Sequence, residues 1–101
     1  MKKGFKGLDK NFKCLDHQYK VGETYETSDA IACQTGFHFC ENPIDVFGYY
    51  SLSESRFAEV EGDGKIDTHS ADSKIACTKI KIKAEIGLKG MIEACVKFIF
   101  D

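Results

Sequence analysis

The chain has 101 residues, 43% of them apolar and 30% charged, and a formal net charge of −2. That length fits one modest core, so a single domain over residues 1–101 is expected. The charge balance argues against a nucleic-acid module working by phosphate neutralisation, which needs a basic excess, and no apolar run approaches the roughly 20 residues of a membrane span.

Met1-Lys2-Lys3 leads into no apolar signal segment, so a cytoplasmic protein is expected. Lys2, Lys3, Lys6, Lys10 and Lys13 form a local basic bias that reads as a solvated face. Lys2–Gly7 reads as a first strand despite its two glycines, and Gly7–Asn11 as a turn. Phe12–Tyr19 reads as one short irregular strand with Phe12, Cys14 and Tyr19 inward. Lys20–Glu23 is a tight turn, Glu23–Glu26 a strand anchored by Tyr25, and Ala30–Cys33 a short apolar run ending at Gln34-Thr35-Gly36.

Gly36–Tyr50 is the densest stretch. Phe37–Cys40 alternates as a strand, with His38 on the face opposite the two phenylalanines. Asn42 caps a helix over 43–50 whose first residue is Pro43, where a missing N–H does no harm. Asp45 suits the dipole of the first turn. Val46, Phe47 and Tyr50 then point back toward the strand, and Phe37, Phe39, Val46 and Phe47 are expected to be buried.

Ser51–Ser55 is a loop, and Arg56–Glu61 alternates with Ala58 and Val60 on one face and Phe57, Glu59 and Glu61 on the other. Asp63-Gly64 predicts a hairpin turn, and His69–Ser73 a second turn. In the strand Lys74–Ile86, residues Ile80, Ile82, Ala84 and Ile86 share a face opposite Lys79, Lys81, Lys83 and Glu85. Ile75 and Cys77 are out of phase with that set, which predicts a bulge near Thr78. After Gly87, apolar residues Leu88, Met91, Ile92, Cys95, Val96 and Ile99 predict a helix over about 88–99 with its stripe on the sheet. Phe98 and Phe100 lie off that stripe. The fold class is α+β, mostly an antiparallel twisted sheet with these two helices.

The chemical candidates are few. The five cysteines form no close C-x-x-C pair and read mostly as small buried hydrophobes. His38, between two phenylalanines, can present its ring to a ligand or be a half-exposed strand histidine; with Cys40 it aligns on one strand face, without two further metal ligands in view. Glu59 and Glu61 form an E-x-E pair, suited to orienting a hydroxyl or to pairing across strands with the lysines of 79–83. Arg56, the chain's one arginine, suits a carboxylate or a phosphate. Tyr49, Phe98 and Phe100 complete the candidate binding residues. No metal site is expected.

Residues Gly36–Tyr50 and Ser53–Glu61, together with Gln18–Glu26, Asp72–Ala76, Lys79–Ile82 and the terminal helix, resemble an uncharacterised small domain of bacterial and phage proteins. In many such relatives the domain precedes Ala/Gly/Thr/Ser-rich repeats, so this chain reads as a standalone or truncated version. A second, local resemblance is to ADP-ribosyltransferases. Gly36-Phe37-His38-Phe39, followed by a cap and a helix ending in Tyr49-Tyr50, is similar to a strand and helix of that group. The resemblance implies NAD as ligand, His38 in place of the tyrosine that stacks on nicotinamide, Lys6-Gly7 where the first strand carries His-Gly or Arg-Gly, and Glu59, Glu61 or Glu85 as the acid.

The leading expectation is a small cytosolic protein-binding module without a cofactor, plausible as a phage or mobile-element accessory protein inhibiting a host defence protein. Glu59 and Glu61 would meet a basic site on the partner. The rivals are an ADP-ribosyltransferase-like enzyme using His38, Glu59 and Glu61, a degenerate NAD binder, and a structural capping domain.

Overall fold

The computed structural model describes residues 1–100, so the expected domain of 1–101 includes one residue, Asp101, outside the described residues. In chain order the elements are β1 (Lys2–Leu8), β2 (Lys13–Cys14), β3 (His17–Gln18), β4 (Thr24–Glu26), β5 (Phe37–Cys40), α1 (Pro43–Val46), β6 (Arg56–Thr68), β7 (Lys74–Ile86) and α2 (Leu88–Phe100). All strand pairings are antiparallel, and the larger sheet runs β4-β7-β5-β1-β6 with β6 also paired to β7. Because β1 pairs with both β6 and β5, and β7 with the same two strands, these four strands close into a ring. A single register pair, Phe5 with Cys40, makes the closing contact. The mostly antiparallel α+β architecture is as expected, with little helix.

Inside the ring lies the main core of Leu8, Phe37, Phe39, Ala58, Val60, Ile75, Cys77, Ile80 and Ile82, closed over by Phe12 and Tyr19. A smaller cluster of Cys40, Val46, Phe57 and Met91 sits outside it and holds the two helices to the sheet. The buried set expected around the strand–helix corner is seen, with Phe47 half-buried rather than buried.

Several expectations are corrected. Helix α1 is one turn, ending at Val46 rather than reaching residue 50. The Asn42 side chain accepts from the Ile44 N–H at 3.0 Å and Pro43 is its first residue, as expected, but Phe47–Tyr50 continue as turns. Phe12–Tyr19 is a tiny hairpin, β2 with β3, turned by Leu15 and Asp16 at φ 49° and 65°. Positive φ at both loop residues is the primed-turn geometry that matches strand twist, and Leu-Asp carries none of its usual sequence signal.

Asp63-Gly64 is no hairpin turn. β6 runs through it, and the register passes from Asp63 opposite Lys79 to Ile66 opposite Cys77, leaving Gly64 and Lys65 facing Thr78. The predicted irregularity is therefore opposite Thr78, with the extra residue on the partner strand. Gly64 takes φ 75°, and the Lys65 N–H donates to Thr78 Oγ1 at 2.9 Å. A second shift leaves Lys83 of β7 without a register partner between Ala84 and Ile82. The hairpin turn that joins β6 to β7 is the one expected over His69–Ser73.

The terminal helix runs one residue beyond the expected end and does not lay its whole stripe on the sheet. Met91 is fully buried, but Ile92, Val96 and Ile99 are 53%, 51% and 61% exposed, and Phe98 and Phe100 also face outward. No helix among the described residues is long and apolar enough to cross a membrane.

Candidate functional site

Alternation along β1 puts Gly4, Lys6 and Leu8 on the inner face of the ring. Lys6, counted above with the solvated basic face, is instead 3% exposed, the one charged side chain buried to this degree among the described residues. Its Nζ donates to the His38 carbonyl oxygen at 2.6 Å and lies 5.1 Å from the centre of the Tyr19 ring. No carboxylate is within ion-pair distance of it among the described residues. Burial without a counter-charge pushes the amine's pKa down, with the neighbouring Cys14 thiol opposing the shift.

Lys6 lines a cavity of about 440 Å³ between the ring and the segments that cover it. Its walls are aromatic: Phe5, Tyr19, Phe37, Phe39, Tyr49 and Tyr50 line it, with His17 and His38. His17 stacks tilted on Tyr19 with centroids 4.4 Å apart and meets Phe37 edge-on at 5.7 Å. Gly7 makes room for the Tyr50 ring, since a Cβ there would collide with it. Tyr50 thereby lies against Gly7 of β1, its hydroxyl 2.8 Å from Cys14 Sγ. Burial pushes the Tyr50 pKa up, so the phenol keeps its proton at neutral pH. Lys74 is the second amine of the lining, its Nζ 4.1 Å from the centre of the Tyr49 ring. The chain carries 16 acidic residues, yet no Asp or Glu lines the cavity. The amines of the lining are Lys6 and Lys74, with the Asp72 carboxylate bound to the Tyr49 hydroxyl beside them.

His38 does border this cavity, but its ring is committed elsewhere. Nε2 accepts from the Cys33 N–H at 2.9 Å, which leaves Nδ1 to carry the proton toward the Gly36 carbonyl at 3.2 Å. Burial lowers the ring's pKa, with Lys74 and Lys6 adding to the shift, so the neutral form holds the turn in which Cys33 adopts φ 65°. The part of His38 that serves the cavity is its main-chain carbonyl.

The other sequence candidates are scattered. The Tyr49 hydroxyl donates to Asp72 Oδ2 at 2.5 Å, and this bond, with those from His69 and the Lys74 N–H, holds the Asp72 pKa at about 2. Arg56 grips Glu85 with two bonds, Nε to Oε2 at 2.6 Å and Nη2 to Oε1 at 2.5 Å, and stacks on Phe12. Glu61 sits 3.7 Å from Lys83, the cross-strand pairing foreseen, and Glu59 is exposed. Phe98 and Phe100 are on α2. Of these, the cavity gathers His38 and Tyr49, together with the Lys6-Gly7 pair; Glu59, Glu61 and Glu85 do not line it. The residues present thus do not fit the NAD-cleaving arrangement, which needs one of those acids facing the ligand.

Three cysteines, Cys14, Cys33 and Cys40, border the cavity. Of the five cysteines, expected to be mostly buried, Cys40 and Cys77 are buried, Cys14 and Cys95 half-buried and Cys33 exposed; desolvation pushes the Cys40 pKa up to about 12. No group of three or more His, Cys, Asp or Glu suited to a metal occurs among the described residues. The residues read by themselves put Lys6 on a solvated face, and only the ADP-ribosyltransferase resemblance placed Lys6-Gly7 at a site.

The family described as Domain of unknown function (DUF7666) matches residues 2–94, and the chain belongs to that family. No curated protein and no solved structure matches it.

Proposed function

We propose that this member of the DUF7666 family is a small-molecule-binding module whose curled sheet receives a compact, planar, anionic ligand. One observation carries the reading: a lysine buried without a carboxylate, in an aromatic-lined cavity that no acidic side chain borders. Pockets of roughly 300–1,000 Å³ with apolar walls and a few convergent polar groups are the usual form of a ligand site. A buried group with a displaced pKa in such a pocket is a functional-site candidate. Aromatic walls stack on a flat ring, Lys74 supplies the charge and Lys6 an N–H donor. Titration calorimetry and amide shifts with benzoate, nicotinate and nucleoside monophosphates, against their neutral amides, test this. At least one anion is expected to bind and to move Tyr19, Phe37 and His38, with affinity falling about tenfold or more in Lys6→Met, the scale of a lost hydrogen bond to a charged group. No shift at those residues with any anion at millimolar concentration would sink the reading.

The expectation of a protein partner finds its support on a different surface from Glu59 and Glu61. The outward face of α2, with Ile92, Val96 and Ile99 more than half exposed, is the apolar patch on which such a partner would dock. Loss of partner cross-linking in Ile92→Glu tests that second reading.

A further inference from the structure

Resting on the cavity reading above, we propose that the ligand carries an aldehyde or ketone, which Lys6 captures reversibly as an imine, while Lys74 at the rim receives the ligand's anionic group. Were Lys6 only a fixed charge for an anion, its surroundings would be built to keep it protonated. The carbonyl oxygen at 2.6 Å, the Tyr19 ring and the Cys14 thiol do favour the ammonium, but the side chain is 3% exposed with no carboxylate in reach, and burial outweighs them. An amine desolvated in this way sheds its proton readily and becomes a nucleophile, which a guanidinium does not do.

The neighbouring groups suit the reaction. The Nζ lone pair attacks the carbonyl carbon, and the C=O π pair moves onto oxygen. That oxygen gains a proton and nitrogen loses one, giving a carbinolamine. A second proton on the oxygen lets it leave as water while the nitrogen pair closes the C=N bond. Amine plus carbonyl gives imine plus water, with no oxidant or reductant involved. The Cys14 thiol, which neighbours Lys6 and lies 2.8 Å from the Tyr50 hydroxyl, relays the protons. An N–H retained in the protonated imine keeps the bond to the His38 carbonyl, so product and free amine use the same anchor.

The probe is 4-carboxybenzaldehyde, a planar aldehyde bearing one carboxylate, trapped by borohydride on the full chain near neutral pH and mapped by peptide mass spectrometry. One reduced adduct is expected, on Lys6, forming on the order of tenfold faster than on any surface lysine because only a neutral amine reacts. Lys6→Met, checked by its melting curve to be folded, should give no such adduct. Labelling spread over surface lysines with Lys6 unmodified, while 4-carboxybenzoate still shifts Tyr19 and Phe37, would overturn the imine and leave the cavity reading standing. If neither the acid nor the aldehyde perturbs the lining, both fall together.

Discussion

Lys6 is costly to the fold, since burying an amine without a partner charge is expensive and a hydrophobe of similar volume is often neutral or better there. Under the proposed function, ligand binding in the cavity offsets that cost. His38 shows the opposite division of labour, its ring bound up in local structure and its carbonyl in the site. A pH dependence follows from its neutral ring. Its folded pKa lies below the ordinary 6.5, so the unfolded chain binds the proton more tightly. The stability it contributes is complete above 6.5 and is lost as pH falls through the folded pKa. His38→Gln is expected to be less stable by about 1 kcal/mol at pH 7, one hydrogen bond's worth. Urea titrations should show that gap narrowing toward pH 5; a constant or widening gap would contradict the neutral assignment.

Among elements, the central pair β6 and β7 shows why Gly64 is ambiguous in one dimension. A glycine with positive φ serves equally as a hairpin turn residue and as the kink of a bulge. Which of the two forms depends on whether the facing strand continues, and β7 does so for 13 residues. Gly64→Val meets both a positive φ and a collision with Thr78, and is expected to destabilise by about 1–3 kcal/mol. Chemical denaturation measures this directly, and a neutral result would mean that the bulge relaxes. The Leu15-Asp16 turn illustrates the converse, a primed turn without its sequence signature, held in place because Phe12 and Tyr19 on either side are drawn into the core.

For the molecule as a whole, closure of the ring completes the main core before α2 is added. The helix is held through Met91, in the small cluster with Cys40, Val46 and Phe57, and most of its apolar stripe faces outward. Met91→Ala is expected to cost about 2–5 kcal/mol, and Ile92→Glu to stay within about 0.5 kcal/mol. Equilibrium unfolding distinguishes the two, and a large loss in Ile92→Glu would show that this face is covered within the chain. With stability unchanged, Ile92→Glu becomes a clean probe of partner docking.

Local chemistry determined much of this protein by itself. Alternation and capping at Phe37–Pro43, the long strand ending at Ile86 and the helical period after Gly87 each depend on neighbours a few residues apart, and each is legible in the chain. The resemblance of Gly36–Tyr50 and flanking segments to an uncharacterised domain family was legible too. Only the tertiary structure decided that Lys6 is inside rather than solvated, because a strand's inner face is defined by the strands that wrap it, here β6 from residue 56 onward. It also decided that the carboxylates Glu59, Glu61 and Glu85 lie away from the cavity, whose lining holds amines, aromatic rings and thiols but no acid. Period-two patterning states which residues share a face; closure of the sheet selects which face lines the cavity.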